Sequence, residues 1–220
     1  MFRIDHLRDA RRYDARCAKT WAIFRGEDLV PPARVSTEDE ARSRTRLRVR
    51  LPEGWGIATP YPKLRGGEYR VEHPRRRFDR PTGWMIAGLL GVVREEVAGV
   101  KMSIAGPRGA SVRRQDMLAL LRWTLPTLRE ALASLPDRLL IVSAGDPMWR
   151  GGLSGPGSLF LHAHRPLISE DGTSPVLHEV VHAALRLQPG TDGDWAIEGL
   201  AEYRSEEHTS ELQSRTGTSY

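Results

Sequence analysis

Hydrophobic and polar residues alternate in the first half of the chain, which predicts β-strands. In the segment TRLRVRLP, Leu47, Val49 and Leu51 fall on one side and three arginines on the other. This pattern is typical of a half-buried antiparallel strand. The segments TWAIF, EYRVE and GVKMSIAG also predict strands, with turns at LPEGWG and KLRGGE. We therefore expect residues 1–110 to form a β-rich, sandwich-like N-terminal domain.

After residue 110 the spacing of hydrophobic residues changes to that of a helix. Leucines recur three and four positions apart, at Leu118, Leu121, Leu125, Leu128 and Leu132. They predict the buried face of a helix with Ser111 as its N-cap. DRLLIVSA and SLFLHAH predict two further strands, and Ser174 followed by Pro175 predicts the start of another helix. The fold class is therefore α+β, with a second domain over residues 111–203.

Composition narrows the possible functions. Hydrophobic residues make up 40% of the chain, which is typical of a globular protein. Cys17 is the only cysteine, so an internal disulfide and a cysteine-based zinc site are excluded. The net charge is +5, but acidic residues are interspersed throughout, so we expect no nucleic-acid partner. The longest apolar stretch is too short for a membrane span, and the charged N-terminus does not resemble a signal peptide. The sequence assigns neither a compartment nor an oligomeric state.

The second predicted helix carries His178-Glu179-Val180-Val181-His182. Residues i and i+4 share a helix face, so both imidazoles can reach one zinc ion at about 2.0–2.1 Å. Glu179 lies at the flank, where its carboxylate can take a proton from a water molecule. This is the HExxH spacing of zinc hydrolases. Burying these polar groups on an apolar helix is costly without a metal, which favours one zinc per chain over histidines satisfied within a core.

A zinc hydrolase needs a third protein ligand and one open position. Glu198 follows His182 by 16 positions, which is enough for a turn and a returning helix. Asp192 and Asp194 are alternative ligands, although their Gly-rich segment is more typical of a helix cap. Glu202, one turn after Glu198, would either hydrogen-bond a ligating histidine or lie in solvent.

HEVVH followed by WAIEGLAEY resembles the gluzincin zinc metallopeptidases, whose third ligand lies in a Trp-x-x-Glu-Gly-x-x-x-Tyr context. Upstream, FRGEDLVPP, LPEGWGIAT, FDRPTGWMIAG and MWRGGLS occur in the order seen in the glycyl aminopeptidase family, and the aminopeptidase N family is next most similar. The resemblance implies a β domain followed by a thermolysin-like zinc peptidase domain. It also implies His178, His182 and Glu198 as zinc ligands and Glu179 as the general base.

The resemblance further implies a peptide or protein substrate held along an edge strand. That strand would be 158–162, with Ser158, Phe160 and His162 near the substrate together with Gly152 and Leu153 of the preceding Gly-Gly-Leu segment; His164 would also line the cleft. Ser154 stands where the family has the acidic residue that binds a substrate N-terminus. Two functions therefore stay open: a zinc metallopeptidase, with aminopeptidase activity one option, and a weak or inactive peptide-binding scaffold on the same fold.

The C-terminal segment has no periodicity. RSEEHTSELQS, residues 204–214, matches the in-frame translation of a common sequencing adapter at every position. We therefore expect residues 204–220 to be a non-native tail, the catalytic domain to be truncated after Tyr203, and the N-terminal domain to be incomplete. An oxyanion donor would then lie beyond Tyr203, and we expect the 220-residue chain by itself to be inactive. Without the following helices, several apolar side chains would leave part of their surface in water: Val176, Val180, Leu185, Ile197 and Leu200.

Overall fold

The computed structural model describes residues 4–185, apart from residues 10, 35, 37–39, 42, 72–79 and 133–134. In this part of the chain the fold is mixed α+β, with more strand than helix, as the sequence predicts. Its core has two layers of sheet that pack face to face, and helices cover the outer face of the second sheet.

The first sheet is antiparallel, and one of its inner strands is fully buried. In chain order, its strands are β1 (His6–Asp9), β2 (Arg12–Cys17), β3 (Trp21–Arg25), β5 (Gly56–Ala58) and β7 (Trp84–Gly88). The short helix α1 (Gly26–Leu29) follows β3, and β4 (Thr45–Leu47) and β6 (Tyr69–Val71) form a separate two-stranded ribbon. The strand order is β1-β2-β3-β7-β5, and every residue of β7 is buried. The strand predicted from TRLRVRLP is shorter than expected, since β4 ends at Leu47; half-buried and exposed residues nevertheless alternate as far as Leu51.

The second sheet contains both parallel and antiparallel pairs. Its strands are β8 (Leu90–Val97), β9 (Val100–Pro107), β10 (Arg138–Ala144), β11 (Gly152–Gly155) and β12 (Ser158–His162). The order is β11-β12-β10-β9-β8, with β12, β10 and β9 parallel and the two outer strands antiparallel to their neighbours. β8 and β9 are joined by Ala98 and Gly99, which both have positive φ, as a two-residue type I′ hairpin requires. β10 is almost wholly apolar because both of its faces are covered.

Two longer helices cover the outer face of this sheet: α2 (Arg114–Ala131) and α3 (Pro175–Leu185). The leucines predicted to form the buried face of α2 are all buried against the sheet. The N-cap prediction was wrong, because α2 begins after Arg113, not after Ser111. Val112 is buried in the core, and the N–H groups of Val112 and Arg114 bond carbonyls only two residues back, so the chain is not yet helical there.

The boundary predicted near residue 110 falls between β9 and α2. The second sheet takes strands from both sides of that point, since β8 and β9 precede it and β10, β11 and β12 follow it. The division into domains 1–110 and 111–203 stays a prediction. Within residues 4–185, leaving aside the gaps given above, no helix has the length and apolar character needed to cross a membrane.

Candidate functional site

The start of α3 is set by Ser174 and Pro175, as the sequence predicts. The Leu177 N–H donates to Oγ of Ser174 at 3.4 Å, and the His178 N–H donates to the Ser174 carbonyl at 2.9 Å. Oγ of Ser174 also donates to the Leu167 carbonyl at 2.7 Å, which ties the cap to the preceding loop. Pro175 occupies the first helical position, where no N–H is needed. This anchored start places the HEVVH segment from the second turn of the helix onward.

The two motif histidines converge on one point. Nε2 of His178 and Nε2 of His182 lie 3.0 Å apart, and the ring planes meet at 66°. Two nitrogen ligands of a tetrahedral zinc ion lie about 3.3 Å apart when each bond is about 2.05 Å. The observed separation is close to this value, and both side chains are half-buried rather than sealed in the core. The pair therefore fits two positions of a zinc site.

Glu179 lies between α3 and the edge strand β11. A β-carbon at Gly152 would lie 2.7 Å from Oε1 and 2.9 Å from Cγ of Glu179. Gly152 pairs with Leu161, which packs in the α3 side of the core, so this position of β11 faces the helix. The absence of a side chain at residue 152 is thus what allows the carboxylate to approach the strand backbone.

The opposite face of α3 is held in the core. Val176, Leu177, Val180 and Val181 are at most 1% exposed and pack with apolar residues of α2 and the second sheet. The prediction that Val176 and Val180 would be partly exposed was therefore wrong. Ile197 and Leu200 and the side chain of Leu185 lie outside the described part of the chain, so for them it stays a prediction. Close packing against β12 and the cap at Ser174 fix the direction in which the histidines project.

The strand predicted to bind substrate, 158–162, is not an edge. β12 lies between β10 and β11, and its outer side is covered by antiparallel pairing with β11. Ser158 and Phe160 have structural contacts. The backbone N–H of Trp84 donates to Oγ of Ser158 at 2.7 Å, and the Phe160 ring centroid lies 5.3 Å from that of the Trp84 ring. In the described part of the chain the edge strand on this side of the sheet is β11, which carries the other two predicted substrate residues, Gly152 and Leu153.

His162 ends β12 on the sheet face opposite α3 and is only 1% exposed. Its Nδ1 accepts the His164 N–H at 3.3 Å, so the proton of a neutral ring is on Nε2. This Nε2 has no hydrogen-bond partner among the described residues, and Oδ1 of Asp146 is 3.7 Å away. Burial lowers the pKa of His162, and the nearby Asp146 carboxylate only partly opposes this effect.

Sequence reasoning did not find the cationic side chains that surround His162. A cavity of about 390 Å³ opens beside it, lined by Arg150, His162, His164, Arg165, Pro166 and Ser169. Both arginines lie in loops, one before β11 and one after β12, and no periodic pattern predicts that such loops meet. The only signal was the basic character of the segments MWRGG and HAHRP.

The remaining predicted site residues lie outside the described residues: the third ligand Glu198, the alternative ligands Asp192 and Asp194, and Glu202, which was predicted to hydrogen-bond a ligating histidine or lie in solvent. Among the residues that are described, no group of three or more His, Cys, Asp or Glu side chains could hold a metal ion. The structure therefore brings together the two histidines and Glu179, and the third ligand stays a prediction.

No protein-family model matches the chain, and neither does any curated protein sequence. In fold, the chain is similar to a crystal structure described as an aminopeptidase N family protein from Idiomarina loihiensis, with a TM-score of 0.53 and 15% identity. The match covers 91% of this chain but 32% of that one, so the chain spans about a third of the length of its structural neighbour. At this identity the likeness concerns the fold alone.

Proposed function

We propose that this chain is part of a zinc metallopeptidase of the gluzincin class, whose thermolysin-like catalytic domain spans residues 111–203. The observation that carries the proposal is the 3.0 Å approach of the two Nε2 atoms on α3, with Glu179 directed towards an edge strand. The structural neighbour supports an aminopeptidase-like fold. The motif spacing supplies the chemical part of the proposal.

The proposed ligands are His178, His182 and Glu198, which hold one zinc ion per chain. This set of two histidines and one carboxylate leaves a fourth position open, as catalytic zinc sites do. Glu202 would accept a hydrogen bond from one of the ligating histidines and so fix its orientation. Zinc bound there supplies a Lewis acid that acidifies water and polarises a carbonyl group.

Glu179 is the proposed general base. Its carboxylate accepts a proton from the attacking water and returns that proton to the leaving amine nitrogen. The position against Gly152 keeps the carboxylate between the helix and the strand that would carry the peptide. Because α3 is packed along its whole opposite face, this geometry is present before the substrate arrives.

The substrate is proposed to be a peptide that adds to the outer edge of β11. Main-chain groups of Gly152 and Leu153 would pair with it, and the scissile bond would lie beside Glu179. Ser154, which is exposed on the same strand, offers no charge to a free α-ammonium group. An internal peptide bond therefore fits this strand at least as well as an N-terminal one.

A second candidate function is peptide binding without hydrolysis. Ser154 favours it, because the chain presents an edge strand but lacks the carboxylate that exopeptidases of this class place there. The intact Glu179 argues against it, since a binding protein has no use for a base at this position.

Metal content and hydrolysis together separate these functions. The natural full-length protein, of which this chain is proposed to be a part, is stripped with a chelator and titrated with zinc, and its cleavage of a library of quenched-fluorescence peptides is followed. We expect about one zinc per chain and cleavage that depends on it. Stoichiometric zinc without cleavage would favour the binding protein, and the lack of a stoichiometric zinc site would refute the metallopeptidase.

A further inference from the structure

The cavity beside His162 has a charge that the proposed peptidase chemistry does not use. Among the described residues its lining includes two guanidinium groups, two imidazoles and no carboxylate. Arg150 pairs with Asp146, outside the lining, through bonds of 3.1 and 2.6 Å. Within the described part of the chain no ion pair or hydrogen bond neutralises the guanidinium of Arg165. Arg113 adds positive charge, because its Nη2 donates to the Arg165 carbonyl at 2.5 Å.

His162 provides a buried hydrogen-bond donor at the same place. Its Nδ1 is used by the His164 N–H, which leaves the N–H on Nε2 to seek an acceptor. Asp146 is too far away to accept it, at 3.7 Å. A buried donor without a partner is destabilising, and a ligand oxygen would remove that cost. The cavity therefore combines positive charge with a donor that favours an oxygen-bearing anion.

This cavity adjoins the strand proposed to hold the substrate. The backbone N–H of His162 donates to the Gly151 carbonyl at 3.0 Å, and Arg150 precedes Gly152 by two residues. At about 3.3 Å per extended residue, Arg150 begins within about 7 Å of the residue that contacts Glu179. A group one or two residues from the reacting bond of a peptide on β11 can thus reach the cavity.

We propose that this cavity, the carboxylate pocket (Arg150, His162, His164 and Arg165), binds a carboxylate group of the peptide substrate. The inference rests on the proposed function insofar as it places the peptide on β11. The carboxylate comes either from an acidic side chain or from the C-terminus of the peptide, and both present the same planar anion to a guanidinium group. The site thus selects anionic peptides, whereas a site with an acidic residue at position 154 would select a peptide with a free α-ammonium group.

The test measures binding to metal-free protein, so that hydrolysis plays no part. Three peptides are compared by NMR titration: acetyl-Ala-Ala-Glu-amide, acetyl-Ala-Ala-Ala with a free C-terminus, and acetyl-Ala-Ala-Gln-amide as the neutral reference. Arg165→Met removes the charge of the exposed pocket arginine and keeps most of its length. Arg138→Met is the matched control, because Arg138 is exposed at the other end of β10, about 20 Å away along the strand.

We expect one of the carboxylate peptides to bind on the order of fivefold to tenfold more tightly than the neutral peptide. This preference should vanish in Arg165→Met and persist in Arg138→Met; the peptide that shows it identifies the source of the carboxylate. Equal binding of all three peptides, no measurable binding of either carboxylate peptide, or a preference that survives Arg165→Met would overturn the proposal. A preserved preference in a protein that neither binds zinc nor cleaves peptides would refute the proposed function and leave the pocket standing.

Discussion

Two histidine pairs of the molecule have different environments, one on α3 and the other where β12 ends. His178 and His182 are four residues apart on a helix, half-buried, with their Nε2 atoms 3.0 Å apart. His162 and His164 are two residues apart where a strand ends, with ring centroids 5.3 Å apart and planes at 83°. In this second pair one ring is buried and the other is exposed.

The difference shows that backbone geometry decides what a pair of imidazoles can do. A helical turn directs residues i and i+4 to the same side, so two ring nitrogens can share one metal ion. At the end of β12 the chain turns, and one nitrogen of His162 is taken by the His164 N–H. The second pair supplies a buried donor among positive charges, because the other nitrogen of His162 has no hydrogen-bond partner among the described residues.

The largest expected effect is the loss of zinc. His182→Ala removes one of the two convergent nitrogens, so metal analysis should find the bound zinc reduced from about one per chain to a trace. His164→Ala is the control from the other pair and should keep full occupancy. Full zinc content in His182→Ala would show that the helical pair is not the metal site.

The next largest effect separates binding from chemistry. Glu179→Gln should retain zinc but lower peptide cleavage by about 10²–10⁴-fold, because an amide cannot accept the proton of the attacking water. Zinc content and kcat are measured on the same sample. Cleavage at the parental rate would show that Glu179 is not the base.

A smaller effect tests the contact between Glu179 and the edge strand. Gly152→Ala should lower kcat by about tenfold to a hundredfold without loss of zinc, because the added methyl group would displace the carboxylate. Gly56→Ala is a suitable control, since a β-carbon there would have no atom within 4 Å. Unchanged kcat in Gly152→Ala would indicate that the position of Glu179 against β11 is not needed for cleavage.

The smallest effect concerns the buried histidine of the second pair. The pKa of His162 lies below the ordinary value of 6.5 because the ring is buried; Asp146 raises it, whereas His164, Arg150 and Arg12 lower it. As pH falls through about 6.5, the unfolded chain takes up a proton that the folded chain does not, so the free energy of unfolding decreases. In His162→Asn this contribution should disappear, and the amide oxygen can still accept the His164 N–H.

Urea unfolding at pH 7.5 and 5.5 measures that contribution. The parental protein should lose more stability between these values than His162→Asn does. His164→Asn leaves the buried ring in place, so it should still lose more stability between these pH values than His162→Asn does. An identical loss in the parent and in His162→Asn would mean that His162 is protonated in the folded protein as readily as in the unfolded one.

Local features of the fold were predictable from the sequence. The leucine spacing of α2, the Ser174–Pro175 start of α3, and the strands β3, β9, β10 and β12 follow from short-range patterns of burial and capping. The wrong predictions concern long-range order. Whether 158–162 is an edge depends on where β11 pairs, and the start of α2 depends on the burial of Val112.

The sequence alone determined which chemistry α3 can carry, because the i, i+4 spacing of His178 and His182 brings the rings together in any α-helix. Only the tertiary structure decided that Glu179 faces Gly152 and that Arg150 and Arg165 line one cavity with His162. These contacts join residues from different strands and loops. Their proximity arises from strand pairing and packing across the sheet, which no local periodicity encodes.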